Sequence, residues 1–257
     1  MKNLLISIFA MFILFSCARL DFIEGIGPVV EEELNMDDFN SIFSDSSIDV
    51  VIEQGPEQKV IARGQQNIID RLRRNVANRE WIIDLEAGNY RNFDLTVHIT
   101  IPDLEALSID GSGDINLQDV FELDNLDIKI DGSGDVTISD GVFLEQELSI
   151  DVDGSGNTFF QDVSAQKIDL FIDGSGEITL RGDCDEMEIT ISGSGDVMAF
   201  ALEAQSIEID SNASGDCEVF AQQNMVVNMD GSGDVLFKGD PTILSRINGS
   251  GRLIDAN

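Results

Sequence analysis

Residues 107–117 read LSIDGSGDINL. In an extended chain Leu107, Ile109, Gly111, Gly113, Ile115 and Leu117 fall on one side, and Ser108, Asp110, Ser112, Asp114 and Asn116 on the other. The alternation runs unbroken through both glycines, so both face the interior. The frame returns with GSG at 111, 132, 154, 174, 193, 231 and 249 and with ASG at 213, eight copies 18 to 22 residues apart that fill residues 105–257. Such a period denotes a solenoid, in which each unit buries its apolar face only by stacking on its neighbours. A unit of about 20 residues is too short for a strand and a full helix. No helical periodicity lies between the copies, so the expected fold is all-β: a parallel β-helix of eight rungs.

The two glycines are not equivalent in the sequence. Ala213 replaces the first, whereas the second is glycine in every copy: Gly113, Gly134, Gly156, Gly176, Gly195, Gly215, Gly233 and Gly251. The expectation is that side-chain-free residues let the ribbon bend and let backbones approach, and that the second position takes a positive φ.

The beginning of the chain carries different information. Lys2 precedes an apolar stretch from Leu4 to Phe15 that runs into Ser16-Cys17, the pattern of a bacterial lipoprotein signal. That stretch is too short to span a bilayer. The likeness to a lipobox implies cleavage before Cys17, a signal peptide over residues 1–16 and lipid on Cys17, which ties the chain to a membrane of the cell envelope. Residues 17–35, with Glu31-Glu32-Glu33, read as an acidic tether. Residues 36–104 read as an N-terminal cap for the open solenoid end, with strands at 47–53, 58–63, 81–86 and 93–101 and one short helix capped by Asn67, burying Ile68, Ile69, Leu72 and Val76. Residues 105–257 are the β-helix.

Three segments, GPVVEEELNMDDFNSI, IDVVIEQGPEQKVIARGQQNIIDRL and IPDLEALSIDGSGDINL, together with the recurring GSGD, resemble the auto-transporter adhesin head GIN domain family of bacterial envelope proteins. The resemblance covers residues 36–257. It implies a right-handed, single-stranded parallel β-helix with an N-terminal β cap, on an exported and often lipid-anchored protein, and it supplies no catalytic motif. Asn157, Glu177 and Arg252 depart from GSGD after the repeat, as do Ser192, Asn212 and Asn248 before it.

The chain holds 49 acids against 15 lysines and arginines, for a net charge of −34, and residues 105–257 alone hold 32 acids against 6 bases. A chain this acidic is excluded as a nucleic-acid binder. Stacking at about 4.8 Å sets Asp110 and Asp131 in one outward column and Asp114 and Asp135 in another. Such columns are Ca²⁺ candidates. The competing reading is that these carboxylates accept backbone N–H bonds at the bend and keep the surface soluble.

Other chemistry is sparse. Cys184 and Cys217 are too few for a disulfide framework and read as free thiols. His98, the single histidine, falls on a solvent-facing strand position. Trp81 reads as core or rim, and Arg71, Arg73, Arg74 and Arg79 as a solvated face that could meet acids of another copy or lipid phosphates. The chain carries no P-loop, dinucleotide fingerprint, nucleophile elbow or zinc spacing. The expectation is a non-enzymatic, lipid-anchored envelope protein, outer-membrane in location, that adheres to a protein or glycan partner through the solenoid wall. The alternatives are a self-associating scaffold and a polysaccharide-active enzyme. Residues 252–257 contain no segment long enough to cover the last rung, which motivates an expectation of weak end-to-end association.

Overall fold

The computed structural model describes residues 21–257. The signal peptide expected over residues 1–16 and the lipidation expected at Cys17 both lie outside the described residues. The body is a parallel β-solenoid of about eight stacked turns with three walls, and most long strands bend around a corner to contribute to two of them.

The first wall stacks Ser41–Ser44, Ala106–Ile109, the C-terminal halves of Val120–Ile130, Gly141–Val152, Val163–Ile172, Glu177–Ile191, Asp196–Ser211 and Cys217–Met229, and finally Thr242–Ile247. The second stacks Asp49–Gln54, Ile115–Gln118, Val136–Ile138, Thr158–Phe160, residues 177–179, 196–199 and 217–220, then Val235–Lys238 and Leu253–Asp255. The third is made by the N-terminal halves of the long strands, from residues 120–123 to about 221. Inward residues repeat by type down each stack, as in the column Ile115, Val136, Thr158, Ile178, Val197, Cys217 and Val235. All of these are buried, so one continuous core runs the length of the molecule.

The Gly-Ser-Gly bends form the corner between the first and second walls. None of the repeat glycines has a positive φ; among the described glycines only Gly27, Gly182 and Gly239 do. The requirement is close approach instead. A methyl on Gly132 or on Gly134 would run into the carbonyl oxygen of Gly111 or of Gly113, one turn below, and the same collision recurs up the whole corner. Ala213 stands at the equivalent position and is buried there. Its neighbour Ser214 donates to Gly193 O at 3.2 Å, whereas the equivalent serines elsewhere bond at 2.8 to 3.0 Å.

The solenoid begins earlier than the repeat signature does. Ser41–Ser44 and Asp49–Gln54, expected in the cap, are the first turn, and Gly111 and Gly113 stack on Ser46 and Ile48. The corner side chains point toward the preceding turn, and the first turn has no Gly-Ser-Gly bend beneath it. Side chains are therefore allowed there, and Ile48 buries its own.

The cap closes this end with Glu80–Ile83 beside Ser41–Ser44 and Leu95–Ile101 beside Asp49–Gln54, followed by antiparallel Lys59–Gln65. Trp81 is core, and its indole N–H donates to Arg73 O at 2.9 Å. The acidic tether requires correction. Val29–Leu34 pairs antiparallel with Lys59–Gln65 and Phe22–Glu24 pairs parallel with Asn89–Arg91, because Val30 and Leu34 face the core while Glu31, Glu32 and Glu33 meet Arg63, Arg74 and Lys59. The helix is a single turn, Gln66–Ile69, that buries Ile68 and Ile69, with Leu72 buried just beyond it, while Val76 lies in the strand Val76–Ala77. Asn67 does not cap it. Its side chain clamps the incoming segment, accepting from Ile26 N and donating to Glu24 O, both at 2.8 Å.

Candidate functional site

Each position after a Gly-Ser-Gly bend faces outward, and the stacking presents the backbone N–H of the next turn to its side chain. Oδ1 of Asp49 accepts from Asp114 N at 3.1 Å, Asp114 from Asp135 N at 3.0 Å, Asp135 from Asn157 N at 2.7 Å and Asn157 from Glu177 N at 2.8 Å. After a break at Glu177 the ladder resumes with Asp196 to Asp216 N, Asp216 to Asp234 N and Asp234 to Arg252 N. A glutamate's longer side chain does not reach back to the backbone in this way, and Asp196 N turns to Gly176 O instead. Asparagine keeps the acceptor, which explains why Asn157 is tolerated. The Arg252 guanidinium also bonds the Asp234 carboxylate and holds it below the usual carboxylate range.

Of the expected Ca²⁺ residues, Asp114 and Asp135 stand in this ladder with one oxygen committed to backbone, and Asp110 and Asp131 stand in the exposed column before the glycines. Lys129 reaches Asp131 at 3.3 Å. Among the described residues no group of three or more His, Cys, Asp or Glu side chains converges as a metal site.

The three walls differ outside. The first is acidic, with Asp127, Asp151, Asp169, Glu188, Glu208 and Asp210 on outward positions. Two lysines relieve it: Lys129 bridges Asp131 and Asp153, and Lys167 gathers Asp169 at 2.7 Å, Glu188 at 3.1 Å and Glu147 at 3.8 Å. Its hydrogen bond to Asp169 raises the Lys167 pKa. Glu147 is raised by a hydrogen bond with Asp169 and by burial, and Asp151 by burial and by the neighbouring Asp153.

The second wall is the apolar one. One outward column reads Phe159, Thr179, Met198, Glu218, Leu236 and Ile254 on successive turns, with Phe200 and Phe220 beside it, while the other acids of these strands, Asp49, Glu53, Glu177, Asp196 and Asp255, lie outside that column. Its cations sit on its rings: the Arg181 guanidinium lies 5.4 Å from the Phe159 centroid and Lys238 Nζ lies 4.3 Å from that of Phe200. Alternation made these positions outward-facing, but their shared column emerges only from the register. The third wall carries an open hollow of about 580 Å³ lined by Asp103, Glu122, Asp124, Glu145, Ser164, Phe143 and two leucines, with no basic side chain.

The remaining candidates are structural. Cys184 and Cys217 are free and buried on different walls, and burial pushes the Cys184 thiol up to about 12 and the Cys217 thiol up as well, so neither is a ready nucleophile. His98 lies half-buried between Val51 and Ile61. Arg71, Arg73, Arg74 and Arg79 pair with Glu86, Asp84, Glu32 and Glu105 of the same chain. No helix among the described residues is long and apolar enough to cross a membrane.

Known proteins place this architecture. A crystal structure of a putative adhesin from Parabacteroides distasonis ATCC 8503 superposes with a TM-score of 0.85 at 28% identity, covering 90% of this chain and 98% of that one. A putative adhesin from Parabacteroides merdae ATCC 43184 gives 0.83 at 21% identity over 91% and 99%, a likeness of fold alone. A structure described as a putative lipid binding protein from Parabacteroides distasonis ATCC 8503 gives 0.73 at 25% identity over 91% and 100%. No curated protein matches. The family model described as "Putative auto-transporter adhesin, head GIN domain" matches residues 38–142 and 137–241, two overlapping stretches that span the first turn and nearly all of the solenoid. The chain belongs to that family.

Proposed function

We infer that this is a non-catalytic adhesin of the cell envelope, held to the outer membrane by lipid on Cys17, and that it grips its protein or glycan partner with the second wall of the solenoid. The observation that carries this reading is the outward column in which Phe159, Met198 and Leu236 alternate with Thr179 and Glu218, flanked by Phe200 and Phe220, on a surface otherwise dominated by carboxylates. Large apolar side chains that recur in register on alternate turns, with further rings beside them, make a flat strip that a partner can desolvate, and such strips mark interaction surfaces. Uniform turns without long insertions favour a binding wall over a catalytic cleft, and the adhesin names of the relatives support the same class.

The test uses intact cells expressing the full chain. Membrane-impermeant biotinylation should label the protein without permeabilisation, and the cells should attach to arrayed glycans or matrix proteins. Met198→Asp with Leu236→Asp should lower attachment at least ten-fold, while Asp127→Ser with Glu208→Ser on the first wall should leave it unchanged. Labelling only after permeabilisation, or attachment indifferent to the second wall, would overturn the reading. Cys17→Ser should release the protein from the membrane fraction, and its retention with an unchanged mature mass would remove the lipid anchor.

A further inference from the structure

The last turn has unusual edges. Thr242–Ile247 hydrogen-bonds to residues 224–229 on one side, and Leu253–Asp255 to Val235–Lys238 on one side; among the described residues neither has a strand on its other side. All six residues of Thr242–Ile247 are exposed, including Leu244 at 70%. Register sets Ile243, Ser245 and Ile247 above the buried Met225, Val227 and Met229, so these three are core-facing positions left in solvent. An exposed apolar strand edge is a template for pairing.

Charge says what covers it. Residues 105–239 hold thirty acids against four bases, whereas in residues 240–257 Asp240 and Asp255 are balanced by Arg246 and Arg252. The last turn is thus the part of the solenoid where a second, equally acidic copy meets least repulsion. The opposite end offers no matching surface. It is closed by the antiparallel strand Val29–Leu34, with its three glutamates, and by the two-residue strand Val76–Ala77.

We propose that two copies join tail to tail about a two-fold axis, with Thr242–Ile247 of each pairing antiparallel with its mate in a register centred on Ser245. Opposed residues in an antiparallel ladder point to the same side, so keeping both cores continuous requires odd-numbered residues to face odd-numbered ones. Centring on Ser245 sets Ile243 against Ile247 and Leu244 against Arg246. Centring on Leu244 sets Ile247 against Pro241, which cannot donate to the ladder, and centring on Arg246 sets two arginines face to face. The contact is isologous and closes after two copies.

Ser245→Cys tests it directly, because the axis brings residue 245 against itself. In full-length protein purified in detergent, mild oxidation should convert most of the Ser245→Cys chains to a covalent dimer, while the parent and an Asn125→Cys control, at an exposed position several turns from the tail, stay monomeric. Adding Leu244→Lys, which sets a lysine against Arg246, should cut the dimer at least ten-fold with an unchanged melting temperature. Equal cross-linking at 125 and 245, cross-linking insensitive to Leu244→Lys, or a sedimenting dimer that does not cross-link at 245 would overturn the proposal. None of these readouts depends on attachment through the second wall.

Discussion

Ser46 and Ile48 stand where the later turns have glycine, Ala213 excepted, and the contrast isolates what glycine does at this corner. The first-turn side chains meet no Gly-Ser-Gly bend below them, while later ones would meet a carbonyl oxygen. Gly132→Ala and Gly134→Ala should therefore destabilise by similar amounts, each on the order of 1–3 kcal/mol as for other overpacking changes. A positive-φ requirement at the second position would instead make Gly134→Ala distinctly worse, and paired thermal melts separate the two accounts. Ala213 led the sequence reading toward that asymmetry. The steric demand is alike at both positions, and the longer Ser214 hydrogen bond marks a slightly wider spacing at 213 that the sequence does not show. Gly182, with φ of +132° on the third wall, carries the strained conformation expected of the repeat glycines, yet nothing in its surroundings in the sequence marks it.

At the scale of elements, the repeat frame made the inward faces of the solenoid legible, because period-2 alternation and an 18 to 22 residue spacing fix both the side a residue faces and the neighbour it stacks on. The cap strands were legible for the same reason. The first turn was not, because the absence of a corner beneath it removed its glycines. The role of residues 22–34 was hidden too: three consecutive glutamates suggest solvated tether, and only the facing Arg63, Arg74 and Lys59, 26 to 42 residues away, make an edge strand of them. Asn67 locks that segment through both of its side-chain groups. Asn67→Ala should loosen residues 22–34 locally at a cost of about 1–2 kcal/mol for the lost hydrogen bonds. Hydrogen exchange is the measure: amides of 22–34 should exchange faster while those of the solenoid stay protected, and uniform protection would show that the sheet pairing alone holds the segment.

For the molecule as a whole, a net charge of −34 stacked on a narrow solenoid makes stability a matter of protons. Burial raises the Asp84 and Asp151 pKa values, and a hydrogen bond with Asp169 raises that of Glu147. A carboxyl whose native pKa exceeds its unfolded value, about 4, leaves the folded chain holding more protons than the unfolded one between those two values. Stability then rises as pH falls through that window and gains nothing further below it. Asp234, held low by Arg252, acts in the opposite sense, and its contribution is lost only as pH drops below the ordinary carboxylate range. Lys129 and Lys167, raised by their carboxylate partners, keep their contribution until pH climbs past the ordinary lysine range. The melting temperature should consequently be higher at pH 5 than at pH 7 in low salt. The difference should shrink at 1 M salt, where the Debye length falls to about 3 Å. Asp151, with a buried Oδ1 that has no hydrogen-bond partner, is the sharpest probe: Asp151→Asn should raise the pH 7 melting temperature and flatten its pH dependence. A melting temperature that falls steadily from pH 7 to 5 would mean that carboxylate bonds of the kind made by Asp234, and not repulsion and burial along the first wall, govern the stability of the solenoid.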